Sequence, residues 1–382
     1  MVSAAAQGEA QIPEGLAEAT RHQGRARATL GAALVAGPSH AYLFRGPRGS
    51  GKRTAARAFA AELLAEGSAE PGDARRRALL DPSPHPDLIW LRPPGAQHLV
   101  DEIRESVIRA ASLSPAEGER RVFVIEEAEA LRDESQNALL KTLEEPAPFS
   151  HLILICSDPE LLAQTIVSRC APVEFAPLSP DAVLEATGSG ESPEASAASR
   201  LSGGDVELAR LLLTERGGAL RAAAEAAARA ARRDPAARAP WRELLEVAEQ
   251  AGAEAGAEEE RRLLEEAESG GRRGRSGKLT REATDQVRRT ERRARTQALD
   301  MALALCCAWY RDLAAVASGA DRLVLNADRR DQLAEDAEGL DPDRARIALE
   351  WVLDTRRRLR LNVSEELALE ALWLRLSASM AA

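Results

Sequence analysis

Lysine is nearly missing from this sequence. It occurs three times, at Lys52, Lys141 and Lys278, and the rest of the 51 basic residues are arginine. With the abundant alanine, this points to a GC-rich coding bias, so a lysine kept against it draws attention. Aromatic residues make up only 3%, which weakens any stacking platform for single-stranded nucleic acid. There are four cysteines, Cys156, Cys170, Cys306 and Cys307. None forms a C-x-x-C pair or sits at ligand spacing from a histidine, which argues against a zinc module and a disulfide scaffold. No apolar run approaches the roughly 18 residues of a membrane span. The first fifteen residues have neither the basic nor the apolar region of a secretory signal. A cytoplasmic setting is expected. The 61 acidic residues outnumber the basic ones and give a net charge of −10. That argues against a generally basic DNA-coating protein, but not against one local basic face.

What is present is patterned. The length of 382 residues predicts two to three domains. Up to about residue 178, short apolar runs alternate with amphipathic stretches. The runs are Tyr42–Phe44, Leu88–Leu91, Val122–Ile125, Leu152–Ile155 and Val173–Phe175. Their continuity predicts strands buried on both faces of a parallel sheet. The stretches between them, such as 53–66 and 100–111, predict helices on both faces of an α/β sheet. After Pro177 the strand signal stops. Residues 179–220 read as a small helical domain, broken at Ser189–Ser192, and 221–382 as a larger helical one rich in Ala, Leu, Arg and Glu.

Within the last part, 242–268 hold ten acidic and three basic residues, and 272–295 hold ten basic and three acidic. Ser269-Gly270-Gly271 between them reads as a turn or link. Three readings stay open: two long helices pairing by charge, a solvated and partly disordered insertion, or a DNA-binding basic arm. The last is weakest, because the acidic arm lies close enough to neutralise it.

The strongest motif is Gly46-Pro47-Arg48-Gly49-Ser50-Gly51-Lys52-Arg53-Thr54, between an apolar run and a helical pattern. Gly46, Gly49, Ser50 and Gly51 give the tight turns of a phosphate-binding loop, and Lys52 supplies the point charge for outer phosphates. The alternative is a glycine-rich strand-to-helix turn with no ligand. The hydroxyl that ligates Mg²⁺ should follow the lysine directly. Arg53 stands there, and Thr54 lies about 100° further round the helix. At the end of the run 122–125 come Glu126 and Glu127, where an acid holds the metal or its water and a second acid polarises the attacking water. Their alternative is an acidic helix start. With both metal-ligating positions altered, poor or absent hydrolysis is expected.

Three segments carry a resemblance: His40–Pro47 (HAYLFRGP), Asn137–Pro146 (NALLKTLEEP) and Thr165–Cys170 (TIVSRC). Together they resemble the AAA+ subunits of the bacterial DNA polymerase III clamp loader. His85-Pro86-Asp87-Leu88, Leu91-Arg92-Pro93 and Asp101–Arg104 are similar to the delta-prime type in particular. The tail segments Trp309–Leu313, Leu361-Asn362-Val363 and Leu367–Glu370 resemble that type's collar. The resemblance covers about 20–215 well and 300–377 more loosely.

It implies an AAA+ core at 1–178, a helical lid at 179–220 and a collar at 221–382. Implied partners are the gamma/tau and delta subunits in a pentameric ring, the sliding clamp, and primer-template DNA through the assembly. It implies ATP or ADP as the cofactor class, and a chain that is part of a DNA polymerase holoenzyme without polymerase activity of its own. Arg169 is implied to be an arginine finger, offered in trans to a neighbour's nucleotide. Three departures from gamma/tau subunits point to a non-hydrolysing role: Arg53, the lack of cysteine in 62–87 so that no zinc is expected, and Glu207 where those subunits carry a sensor arginine. The alternatives are a hydrolysing gamma/tau-type ATPase and a P-loop kinase. Blander roles are expected for Lys141 (helix surface charge), Cys170 (a small buried side chain), His40 (structural) and Trp309, Trp351 and Trp373 (helix packing).

Overall fold

The computed structural model describes residues 12–95, 97–233, 239–269, 279–359, 361 and 363–380. Gly270, Gly271, Lys278 and Asn362, and the first eleven residues, lie outside them. The chain forms two compact units, divided between Ala182 and Val183.

In the first unit, α1 (Glu14–Ala19) and α2 (Gly24–Ala36) precede β1 (Ala41–Arg45). Then come α3 (Lys52–Ala65), α4 (Pro71–Leu79), β2 (Leu88–Leu91), α5 (Val100–Ile103), β3 (Arg121–Ile125), α6 (Asp133–Glu144), β4 (Ser150–Cys156), α7 (Gln164–Val167) and β5 (Ala171–Glu174). All five expected strands form. They make one parallel sheet in the order β2-β3-β4-β1-β5.

Alternation along the strands splits the apolar side chains between two cores. Tyr42, Phe44, Val122, Val124, Ile153 and Ile155 pack with α3 on one face. Leu43, Phe123, Ile125, Leu152 and Leu154 pack with Ile103, Leu139 and Leu143 on the other. Ala55, Ala56, Ala58, Ala60 and Ala61 of α3 are buried and let the helix approach the sheet closely. Phe59 among them meets Tyr42 edge-on at 5.1 Å. The expected helix over 100–111 is regular only through Ile103. It continues as a wider turn, Arg104–Arg109, and a tight one, Ala110–Ser112.

The second unit is helical. α8 (Pro180–Thr187) spans the division, and α9 (Pro193–Leu201), α10 (Val206–Leu212), α11 (Glu215–Arg233), α12 (Arg242–Ser269), α13 (Arg281–Ala317), α14 (Arg330–Ala337), α15 (Pro342–Leu359) and α16 (Glu365–Met380) follow. Ala198 and Leu212, from the segment expected as a lid, share one core with the helices after 221. The core centres on α13. The Tyr310 hydroxyl donates to Ala228 O at 3.0 Å, and the Trp373 indole donates to Ala227 O at 3.0 Å. Asp312 is fully buried but satisfied, accepting from the backbone of Leu325 and Asn326 and from the Asn326 amide. Trp309 and Trp373 are core residues, and Trp351 packs against the same core.

α12 and α13 pair, and small residues of α12 lie in the contact. Ala248, Gly252 and Gly256 lie one turn apart on α12. A Cβ at Gly252 would come within 2.9 Å of the Glu291 carbonyl, so α13 sits directly against these small residues. Polar links across the pair include Arg295 to Glu249 at 3.7 Å and Gln286 to Glu259 at 2.7 Å.

Candidate functional site

In a parallel sheet, ligands sit beyond the carboxyl ends of the strands. The loop after β1 is at that end. Gly46, Gly49 and Gly51 have φ of 149°, 66° and 88°, a conformation that favours glycine. A Cβ at Gly46 would lie 2.2 Å from the Phe175 carbonyl, so no other residue fits there. Gln23 braces the loop, donating to Ser50 O and Ala176 O and accepting from Ala176 N. The Ser50 hydroxyl donates to Pro47 O. Lys52 opens α3 and is buried. Its ammonium donates to Gly46 O and Pro47 O, both at 2.6 Å, and to the Ser157 hydroxyl at 3.3 Å.

Arg53 and Glu126 meet directly. The Arg53 Nε lies 3.1 Å from Glu126 Oε1, and its Nη2 donates to Asp81 at 3.0 Å. Arg92 joins the same two carboxylates, at 2.9 Å to Glu126 and 2.6 Å to Asp81. The Trp90 indole also donates to Glu126. Arg57 reaches Asp81 at 3.2 Å while its guanidinium stacks 4.2 Å over Trp90. Burial works to raise the Asp81 carboxyl, but the Arg92 hydrogen bond and the charges of Arg92, Arg57 and Arg53 hold it below its ordinary value. Burial alone would lower Arg92, and its bonds to Asp81 and Glu126 leave it raised.

Magnesium does not fit this arrangement. A guanidinium occupies the position of the metal's hydroxyl ligand and pairs with the carboxylate that would face the ion. Thr54 is exposed. Among the described residues, no group of three or more His, Cys, Asp and Glu is placed to hold a metal ion. Glu127 follows with φ 49°, its carboxylate 4.0 Å from Arg48.

Arg169 lies elsewhere on the sheet. β5 runs parallel to β1, with Ala171 opposite Tyr42. Arg169 therefore precedes the amino end of β5, whereas the glycine loop follows the carboxyl end of β1. The two are at opposite ends of the strands. The Arg169 guanidinium donates to Glu144 at 2.7 Å and to Thr165 O at 2.9 Å, and about a third of the side chain is exposed. Burial pushes the neighbouring Cys170 thiol up to about 12, and Cys156 likewise, so neither is a thiolate nucleophile. Lys141 is exposed on α6.

Sequence reasoning missed Asp81, Arg57, Arg92 and Trp90, which assemble around Arg53, and Ser157, which receives Lys52. Ser157 carried a signal, as the first polar residue after the apolar run from Leu152 to Cys156. The others did not stand out in an arginine-rich chain.

The family model described as DNA polymerase III, delta subunit, matches residues 32–179. A Bacillus subtilis protein named DNA polymerase III subunit delta′ is 36% identical over 151 residues, 38% of this chain and 44% of that one. Its Pseudomonas aeruginosa namesake is 41% identical over 140 residues, 35% of this chain and 42% of that one. The matched stretch is thus less than half the length of these relatives. A solved Thermotoga maritima protein described as gamma subunit-related aligns over 93% of this chain and 99% of its own, at 15% identity and a TM-score of 0.42. Over residues 32–179 the chain matches the family model described as DNA polymerase III, delta subunit, and it is similar there to the relatives named delta′.

Proposed function

We propose that the chain is a delta-prime-like subunit of a DNA polymerase III clamp loader, lending Arg169 to a neighbouring subunit's nucleotide site without turning over nucleotide at its own loop. In this reading 1–178 is the AAA+ core, 179–220 the lid and 221–382 the collar. Its partners are gamma/tau and delta subunits, with the sliding clamp and primer-template DNA reached through the assembly. The carrying observation is the separation of Arg169 from the chain's own glycine loop across the sheet. An arginine at that end serves a phosphate on another subunit, where its planar fork stabilises charge developing on the γ-phosphate. The Arg53–Glu126 pair supports the rest of the reading, because it fills the metal's place with a side chain. The loop amides and Lys52 remain the groups that would hold ATP or ADP. On α16, Leu367, Ala371 and Leu374 form an exposed stripe at i, i+4 and i+7. Such a stripe suits subunit packing in a collar.

The test is the ATPase rate of a reconstituted loader with clamp and primed DNA. Arg169→Ala is expected to slow it tenfold or more, about 1.4 kcal/mol at the barrier, while the isolated chain is silent. Turnover by the isolated chain, with an assembly indifferent to Arg169→Ala, would move the gamma/tau-type ATPase reading to the front.

A further inference from the structure

The outer side of α13 carries arginines that no described residue neutralises. Contact with α12 runs through Val287, Glu291 and Arg295, which lie against Gly252 and Gly256. At ~100° per residue, Arg281, Arg288, Arg289 and Arg292 then fall about 60° to 160° away from the middle of that contact. All four are exposed. None makes an ion pair or hydrogen bond among the described residues. The acids on the same outer side are Glu282 and Asp285, and neither closes on one of these arginines. Several acids of α12 face other partners: Glu259 takes Arg262 and Gln286, Glu254 takes Arg216, and Glu249 takes Arg295. Among the described residues, no acid of α12 closes on these four arginines.

We infer that the exposed arginines of α13, Arg281, Arg288, Arg289 and Arg292, form a sequence-independent docking face for the phosphate backbone of duplex DNA. Guanidinium forks match phosphate oxygens in shape and charge. The four span twelve residues, about 16 Å along a straight helix at ~1.5 Å per residue. Duplex DNA presents a charge every ~1.7 Å of its axis, so several phosphates fall within that span. No aromatic residue lies among the four, and base stacking has no platform here. An exposed arginine row without partners gains little for the fold, since exposed charge contributes marginally even when paired. The inference does not depend on the clamp-loader reading, because it concerns the isolated chain and a helix of the second unit.

The experiment is fluorescence anisotropy of the full chain with a labelled duplex of about 20 base pairs, across a salt series from about 50 to 200 mM. Arg288→Ser/Arg289→Ser/Arg292→Ser is compared with the parent chain. The variant is expected to bind at least tenfold more weakly, with a log–log salt slope smaller by about 2 to 3, roughly one unit for each phosphate no longer neutralised. Its thermal midpoint should be unchanged, and the milder Arg281→Ser/Arg292→Ser gives a second reading if the triple change disturbs folding. Equal affinity and slope in parent and variants overturns the inference, as does a parent chain that fails to bind at the lowest salt. Sedimentation of the same samples distinguishes a rival occupant. A salt-labile dimer that the variant abolishes, with DNA affinity unmoved, would assign the face to the acidic α12 of a second copy and also overturn it.

Discussion

Arginine is treated in opposite ways in the two units. Beside the glycine loop, Arg53, Arg57 and Arg92 close on two carboxylates and a tryptophan, and each guanidinium has a partner. On α13, Arg288, Arg289 and Arg292 are exposed, and no ion pair engages them among the described residues. Residue type is the same in both, so composition alone does not separate them. Partnership does. A guanidinium that is half buried must be matched by a carboxylate, because an unmatched buried charge is costly. One that stays in water is free to meet a ligand.

The largest expected effect comes from breaking the matched set. Glu126 is only 14% exposed and accepts from Arg53, Arg92 and Trp90. Glu126→Ala leaves those donors facing one another without their acceptor. It should cost about 1–3 kcal/mol of stability, read as a lowered midpoint in urea unfolding. The α13 triple serine variant should stay within about 0.5 kcal/mol, the range of ordinary surface changes. If both variants lose the same stability, the contrast between the two arginine sets is wrong.

A smaller change sharpens the same contrast from the other side. Arg53→Thr places a hydroxyl directly after Lys52 and releases Glu126 from one of its partners. The expected outcome is that ADP with Mg²⁺ raises the variant's melting temperature by more than ADP with EDTA does. The parent chain should show no such difference, since stabilisation by a ligand follows its binding to the folded state. A parent chain that already responds to Mg²⁺ would show that the Arg53–Glu126 pair opens readily and does not replace the metal.

Much of this was legible in the sequence because the relevant signals are local. Five apolar runs became five strands, since a strand buried on both faces needs an unbroken apolar run. The glycine loop was legible for the same reason: Gly46 has a backbone that only glycine adopts, against a carbonyl that only glycine clears. The altered position of Arg53 was plain as well. What it does was not. Its partner Asp81 is 28 residues away and lies in a loop, Arg92 follows an edge strand, and only the folded sheet brings them together. The α12–α13 pairing shows the same limit. Opposite charge was the visible pattern, whereas Gly252 and Gly256, unremarkable in an Ala- and Gly-rich stretch, also line the contact. The opposite placement of Arg169 and the glycine loop needed strand direction, which no local pattern encodes.

The smallest effect expected is a pH dependence confined to the matched set. Asp81 has a folded-state pKa below its ordinary value of 3.8. Between that folded value and 3.8, the unfolded chain binds the proton more readily than the folded one. Stability therefore falls as pH falls. The contribution of Asp81 is complete above 3.8 and is lost progressively as acid titrates through the lower, folded value. Asp81→Asn removes the titrating group but keeps its shape, so the acid limb of the variant's stability curve should be flatter than the parent's below about pH 4. The α13 triple variant should follow the parent's acid limb without change, because the arginines it replaces pair with no carboxylate among the described residues. Parallel acid limbs for parent and Asp81→Asn would mean that Asp81 gains nothing from its three arginines. The cluster beside Arg53 would then be no more matched than the open row on α13.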